Sequence, residues 1–100
     1  MNMSVRPEVL HFAALGPLPE SSVATEDDLN HRAAILVAIT PPLNRDEADI
    51  LLTCFGPDEC FGMAWTLLHL LETTPGGAVL ALPAHDANEW VRLLWDRAHR

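Results

Sequence analysis

The chain has 100 residues, of which 49% are hydrophobic and 20% are charged, a composition that predicts one globular domain and excludes a disordered chain. The formal net charge of −8 argues against nonspecific binding to nucleic acid or to an anionic membrane. No stretch reaches the ~18 apolar residues of a membrane-spanning helix, and the N-terminus does not have the pattern of a signal peptide. We therefore expect a single cytoplasmic domain over residues 1–100. Its six basic residues are all arginines, a usage typical of GC-rich bacterial genomes.

Residues 1–24 contain Pro7, Gly16, Pro17 and Pro19 and predict a partly irregular N-terminal segment. Within this segment, residues 9–15 are apolar enough to lie on the core, as a short extended strap or as a helical turn. In the extended form, the strap could pair with a second apolar strap at residues 78–83, although a two-stranded ribbon needs helices behind it.

Two helices have clear start signals. Thr25 followed by Asp28 is a variant of the capping box and predicts a helix over residues 26–39, which ends before Pro41. Asn44 followed by Glu47 predicts the next helix. That helix is expected to end at Gly56, a residue suited to a left-handed C-cap.

Residues 58–73 predict the central helix. At about 100° per residue, half of its circumference is apolar, so other elements must pack around it. This half is expected to be buried and comprises Cys60, Phe61, Met63, Ala64, Leu67, Leu68, Leu70 and Leu71. Trp65 instead projects into the polar half. A break at residues 74–77 and the strap at 78–83 follow, and Asp86 with Glu89 is predicted to cap a last helix. The expected fold is all-α, a bundle of about four helices.

The polar half of the central helix carries the candidate interaction site. Trp65, His69 and Glu72 are spaced i, i+4 and i+7 and so form one ridge, with Thr66 and Gly62 beside it. An exposed tryptophan of this kind often anchors a protein–protein interface. The alternative is that another helix, or a second copy of the chain, covers Trp65.

The acidic residues allow two interpretations. Most of them are in predicted caps and first turns, where the helix dipole favours negative charge. Capping therefore explains much of the net charge. The functional alternative is an acidic surface that binds a basic partner, as an inhibitor or immunity-type protein does.

Catalytic and metal-binding patterns are weak. Cys54 and Cys60 fit neither a CxxC metal site nor a disulfide scaffold, and both are predicted to be small buried hydrophobic residues. Cys60 and His69 would lie about 180° apart on one helix, so they cannot form a dyad. The histidines have no HxxxH or HExxH spacing. We expect no enzyme activity, no cofactor and no metal.

The sequence therefore favours a small non-enzymatic protein–protein interaction module that associates with itself as a homodimer. The first alternative is an acidic protein that binds a basic partner. The second is a ligand-binding helical domain with a pocket between its helices, lined by His69, His85 or a carboxylate.

Overall fold

The computed structural model describes residues 5–100, and all regular secondary structure in that range is helical. The predicted all-α class is confirmed. The elements are α1 (Pro7–Ala14), α2 (Glu26–Ala38), α3 (Arg45–Leu51), a 3-10 turn (Leu52–Cys54), α4 (Met63–Leu71) and α5 (Glu89–Ala98). Residues 1–4 of the predicted irregular segment 1–24 lie outside the described residues. None of the helices in the described range is long and apolar enough to cross a bilayer.

Helix α1 occupies residues 9–14 of the apolar segment 9–15, which was predicted as an extended strap or as a helical turn. The helical alternative is confirmed. Pro7 lies in its first turn, where the fixed φ of proline favours a helix and its missing N–H costs nothing. Val9 and Phe12 are one turn apart and fully buried, so a helix places both on the core. The prediction of an extended strap here was wrong, and within residues 5–100 no two-stranded ribbon forms.

The predicted starts of α2 and α3 are confirmed. The Thr25 hydroxyl accepts the backbone N–H of Asp28 at 3.1 Å. Asn44 and Glu47 form a reciprocal capping box, with the Asn44 side chain accepting the Glu47 N–H and the Glu47 carboxylate accepting the Asn44 N–H. Both starts depend only on residues three apart, which is why they can be read from the sequence.

The central helix is shorter than the predicted 58–73, because its first five residues form a turn. Asp58 accepts the backbone N–H of Cys60 at 2.9 Å and that of Ser21 at 3.0 Å. Cys60 (φ 49°), Phe61 (φ 54°) and Gly62 (φ 87°) are then all left-handed, a conformation that no α-helix contains. Helix α4 begins only at Met63.

Helix α4 nevertheless has the predicted central position. Five of its nine residues are buried, a larger share than in any other helix of the described range. Leu67 and Leu71 are fully buried, as the predicted apolar half requires. The hydrophobic core therefore assembles around the second half of the predicted helix.

The predicted C-cap of α3 at Gly56 and the predicted N-cap of α5 at Asp86 are both wrong. Gly56 is not left-handed; it is required because an added Cβ would lie 2.0 Å from the Leu18 carbonyl oxygen. The close approach accompanies a hydrogen bond from the Leu18 N–H to the Cys54 carbonyl at 2.8 Å. The last helix is capped by Asn88, whose side chain accepts the Trp90 N–H at 2.8 Å, and not by Asp86.

Helices α4 and α5 run parallel and side by side. Trp65 contacts Trp90 near the start of each helix, and Glu72 contacts Arg97 near the end. The return segment between them has no regular secondary structure. It is tied down at the carbonyls of Gly77 and Ala78, which both accept hydrogen bonds from Arg45.

Candidate interaction surface

The predicted interaction residues lie at the start of α4 and along its outer side. Trp65 keeps 38% of its surface exposed, and Thr66, His69 and Glu72 are also exposed. Gly62 is half-buried and forms the N-cap of α4. Here we use the term α4 surface for Phe61, Trp65, Thr66, His69 and Glu72.

Trp65 is partly covered by α5. Its ring meets the ring of Trp90 edge to face, with centroids 5.0 Å apart and an interplanar angle of 90°. Trp90 in turn stacks on Phe55 at 6.0 Å. Trp90 is buried, and its indole N–H makes no hydrogen bond within the described residues. Aromatic packing therefore orients Trp90, which supports Trp65 from behind while leaving its outer part open.

The other end of the α4 surface carries charge. Arg97 donates two hydrogen bonds to the Glu72 carboxylate, at 2.7 and 3.1 Å. The Nδ1 atom of His69 lies 3.3 Å from the same carboxylate. The hydrogen bonds from Arg97, more than the contact with His69, hold the pKa of Glu72 below its ordinary value, although partial burial opposes this shift.

Phe61 belongs to this surface, although the sequence predicted it to be buried. The residue is 70% exposed, because the left-handed turn at residues 60–62 directs its side chain away from the core. Left-handed backbone costs a non-glycine residue on the order of 1–3 kcal/mol, so Cys60 and Phe61 are held there by the surrounding contacts. Gly62 was the available signal, since glycine disfavours a helix interior.

Phe61 and Trp65 stand apart from the other large aromatic residues. Phe12, Phe55 and Trp90 are buried, and Trp95 is half-buried. The two exposed residues are four positions apart in the chain, Phe61 in the left-handed turn and Trp65 in the first turn of α4. The Trp65 ring lies 6.2 Å from the ring of His69, which in turn contacts Glu72, so apolar area and hydrogen-bonding groups adjoin on this surface, a combination typical of interface anchors.

Both cysteines are free and buried, as predicted. Burial raises the pKa of the Cys54 thiol. Burial also raises the pKa of Cys60, and the nearby negative charge of Asp58 adds to the shift. The thiolate form that a nucleophile requires is therefore disfavoured at both positions.

The histidines come from different elements of the described chain. The rings of His11 and His31 meet edge to face at 5.8 Å, and His69 lies on α4. Within residues 5–100, no group of three or more His, Cys, Asp or Glu residues is placed to hold a metal ion.

Two surface clefts border the outer side of α5, in addition to a smaller cleft of about 160 Å³ that is lined by Glu72, Gly77, Ala78, Val79, Leu94 and Ala98. One has a volume of about 300 Å³ and is lined by Glu89, Trp90, Arg92, Leu93 and Asp96. The other has a volume of about 290 Å³ and is lined by Leu82, Pro83, His85, Arg92, Trp95 and Asp96. His85, one of the predicted pocket residues, lines the second cleft, whereas His69 lines neither. Arg92 and Asp96 stand between the two clefts.

Comparison with protein-family models finds no matching family. Comparison with curated proteins finds no matching sequence, and comparison with solved structures finds no matching structure. The function of this chain therefore has to be inferred from its own residues.

Proposed function

We propose that this chain is a small, non-enzymatic protein–protein interaction module that associates with a second copy of itself through the α4 surface. One observation carries the proposal: Phe61 is held outward by a left-handed turn and is 70% exposed, four residues before the partly exposed Trp65 in the chain. Apolar rings in this position are stabilised when a partner removes them from water.

The magnitude of this effect fits a reversible contact. Covering roughly 100 Å² on each of the four rings of a symmetric pair contributes on the order of 10 kcal/mol at about 25 cal/mol per Å². Association itself costs on the order of 4–15 kcal/mol. The rings therefore suffice for a weak dimer, and a stable one needs further contacts around them.

The non-enzymatic part of the proposal is supported by the thiols, whose raised pKa values disfavour nucleophilic chemistry. Cytoplasmic localisation is part of the same proposal. Two free, buried cysteines are compatible with a reducing compartment, where thiols do not form disulfides.

The test is the mass of the protein in solution, measured by sedimentation equilibrium over a range of concentrations. We expect a concentration-dependent dimer that is weakened by Phe61→Asn and by Trp65→Ala. Asn is chosen at position 61 because it tolerates the left-handed conformation, so the turn keeps its shape. Val37→Ala is the control, since Val37 is an exposed apolar residue of α2.

Two results would overturn the proposal. The first is a wild-type chain that remains monomeric at millimolar concentration. The second is a dimer that Phe61→Asn and Val37→Ala leave equally intact. Circular dichroism of Trp65→Ala is needed alongside, because loss of its contact with Trp90 could weaken the fold.

A basic partner is the second candidate, and the distribution of charge favours it. Four of the six arginines form ion pairs with acidic residues of the same chain, and these pairs are Arg6–Glu47, Arg32–Asp28, Arg45–Asp49 and Arg97–Glu72. Most of the net negative charge therefore remains directed to solvent. Salt distinguishes the candidates: binding of a basic partner weakens as salt screens attraction, whereas association of two like-charged copies does not.

A further inference from the structure

The outer side of α5 carries a row of charged and titratable side chains. Glu89, Arg92, Asp96 and His99 are spaced three, four and three residues apart and therefore share one face of the helix. All four are exposed. The opposite face of α5 packs on the core through Trp90 and Leu94. We call the four exposed residues the outer row.

Arg92 and Asp96 of the outer row form no ion pair within the described residues. The same Arg-to-Asp spacing on α3 does close, with Arg45 and Asp49 3.2 Å apart. On α5, both side chains instead line the two surface clefts described above. Their charges are therefore available to a second molecule.

The charges of the outer row complement those of a second copy that runs in the opposite direction. Read from the N-terminal end, the row is negative at Glu89, positive at Arg92 and negative at Asp96; His99 follows, with its Nδ1 atom 2.9 Å from the Trp95 carbonyl oxygen and its ring stacked on the ring of Trp95. A parallel copy would place each charge opposite the same charge. An antiparallel copy places opposite charges together.

We propose that the outer row is the orienting part of the self-association surface, where it meets the same row of a second copy in an antiparallel arrangement. The two-fold axis then crosses the outer side of α5 at the level of residue 94. Arg92 faces Asp96 of the second copy, and Asp96 faces its Arg92. Glu89 and His99 face each other by the same symmetry. Such an isologous contact makes each ion pair twice.

This inference rests on the proposed function and extends it along one continuous surface. Trp90 lines the cleft beside Arg92, and its ring packs against Trp65. The Trp90 ring therefore lies between the cleft beside the outer row and the Trp65 ring of the α4 surface. A second copy seated on both would cover the exposed rings and the clefts together, adding the area that the rings alone do not supply.

Two copies that each carry a net charge of −8 repel one another, and the pairing of opposite charges reduces this repulsion at the contact. Exposed ion pairs contribute little affinity, but like charges placed opposite one another are strongly unfavourable. The outer row thus sets the orientation of the two copies, while the aromatic rings supply most of the binding free energy.

The inference is tested by reversing charges and measuring dimer dissociation constants by sedimentation equilibrium at about 50 mM salt, where screening is modest. Arg92→Asp and Asp96→Arg, each alone, are expected to weaken the dimer by about tenfold or more, since each places like charges together twice. The double variant, Arg92→Asp with Asp96→Arg, restores opposite charges and is expected to return to within about threefold of the wild type.

The control is Asp27→Arg, which changes the net charge by the same amount as Asp96→Arg at an exposed position on α2. An equal mixture of the two single variants is a further readout, because it should form a heterodimer more tightly than either variant pairs with itself.

The outcomes separate this inference from the proposed function. If Phe61→Asn weakens the dimer but the charge reversals raise its dissociation constant no more than Asp27→Arg does, the orienting role is wrong while self-association stands. If both single reversals weaken the dimer and the double variant is not restored, the antiparallel register is wrong. A wild-type chain that stays monomeric overturns both.

Discussion

Two arginine–glutamate pairs hold distant parts of this chain together, and they differ in burial more than in geometry. Arg6 meets Glu47 at 2.8 Å and Arg97 meets Glu72 at 2.7 Å. The Glu47 side chain is only 2% exposed, whereas both partners of the second pair are 31% exposed. Loss of one partner should therefore reduce stability more in the buried pair than in the exposed pair. Water can replace the lost partner of Arg97 but hardly that of Arg6.

The contacts around Glu47 follow from its burial. Its carboxylate accepts hydrogen bonds from the Arg6 backbone and guanidinium and from the Asn44 backbone. Burial by itself would raise the pKa of Glu47, but these hydrogen bonds lower it below the ordinary value. The pair ties the segment before α1 to the start of α3. The exposed pair, in contrast, borders the α4 surface.

The largest expected effect is on stability. Glu47→Ala removes a buried acceptor and leaves the Arg6 guanidinium short of its partner, so the free energy of unfolding should fall by about 3 kcal/mol. Guanidinium chloride titrations followed by circular dichroism measure this loss.

Glu72→Ala is the matched control, since it removes the same side chain from the exposed pair. Its loss of stability should be less than about a quarter of the loss for Glu47→Ala. Equal losses from the two substitutions would show that burial does not separate the pairs.

The second effect is a dependence on pH. Because the folded-state pKa of Glu47 lies below its unfolded value, the unfolded chain binds the proton first as pH falls. The stabilisation from Glu47 is therefore complete above the unfolded pKa, about 4.3, and is lost progressively as pH falls toward the folded pKa. Unfolding of the wild type, measured between about pH 6 and about pH 3, should show decreasing stability toward acid.

Glu47→Gln isolates the part of this slope that comes from the buried carboxyl. The variant is less stable at neutral pH, and its stability should decline less steeply toward acid than that of the wild type. Glu72→Gln provides the comparison, since the pKa of Glu72 is also lowered but that group is more exposed. Parallel pH profiles for wild type and Glu47→Gln would contradict the assignment.

The smallest effect is the response to salt. Double-mutant cycles can measure the coupling within each pair, using Glu72→Gln with Arg97→Met and Glu47→Gln with Arg6→Met. Raising salt from about 50 mM to about 500 mM should reduce the coupling of the exposed pair and change that of the buried pair little. An equal reduction in both pairs would mean that solvent reaches Glu47 as readily as Glu72.

Local sequence determined the parts of the fold that depend on neighbouring residues. The caps at Thr25 and Asn44 need only a partner three residues later, and the apolar repeat at Leu67 and Leu71 needs only the helical period. The all-α class, the central position of α4 and the burial of both cysteines could therefore be predicted. Trp65, His69 and Glu72 could be assigned to one side of α4 for the same reason.

Tertiary structure decided what depends on distant residues. Asp58 bonds to Ser21, thirty-seven positions away, and the turn that follows converts Phe61 from a predicted core residue into an exposed one. Gly56 is required by the backbone of Leu18, and Asn88 binds the Gly56 carbonyl as well as capping α5. The periodicity of the sequence cannot predict these contacts, because each of them forms only after folding has brought two distant residues together.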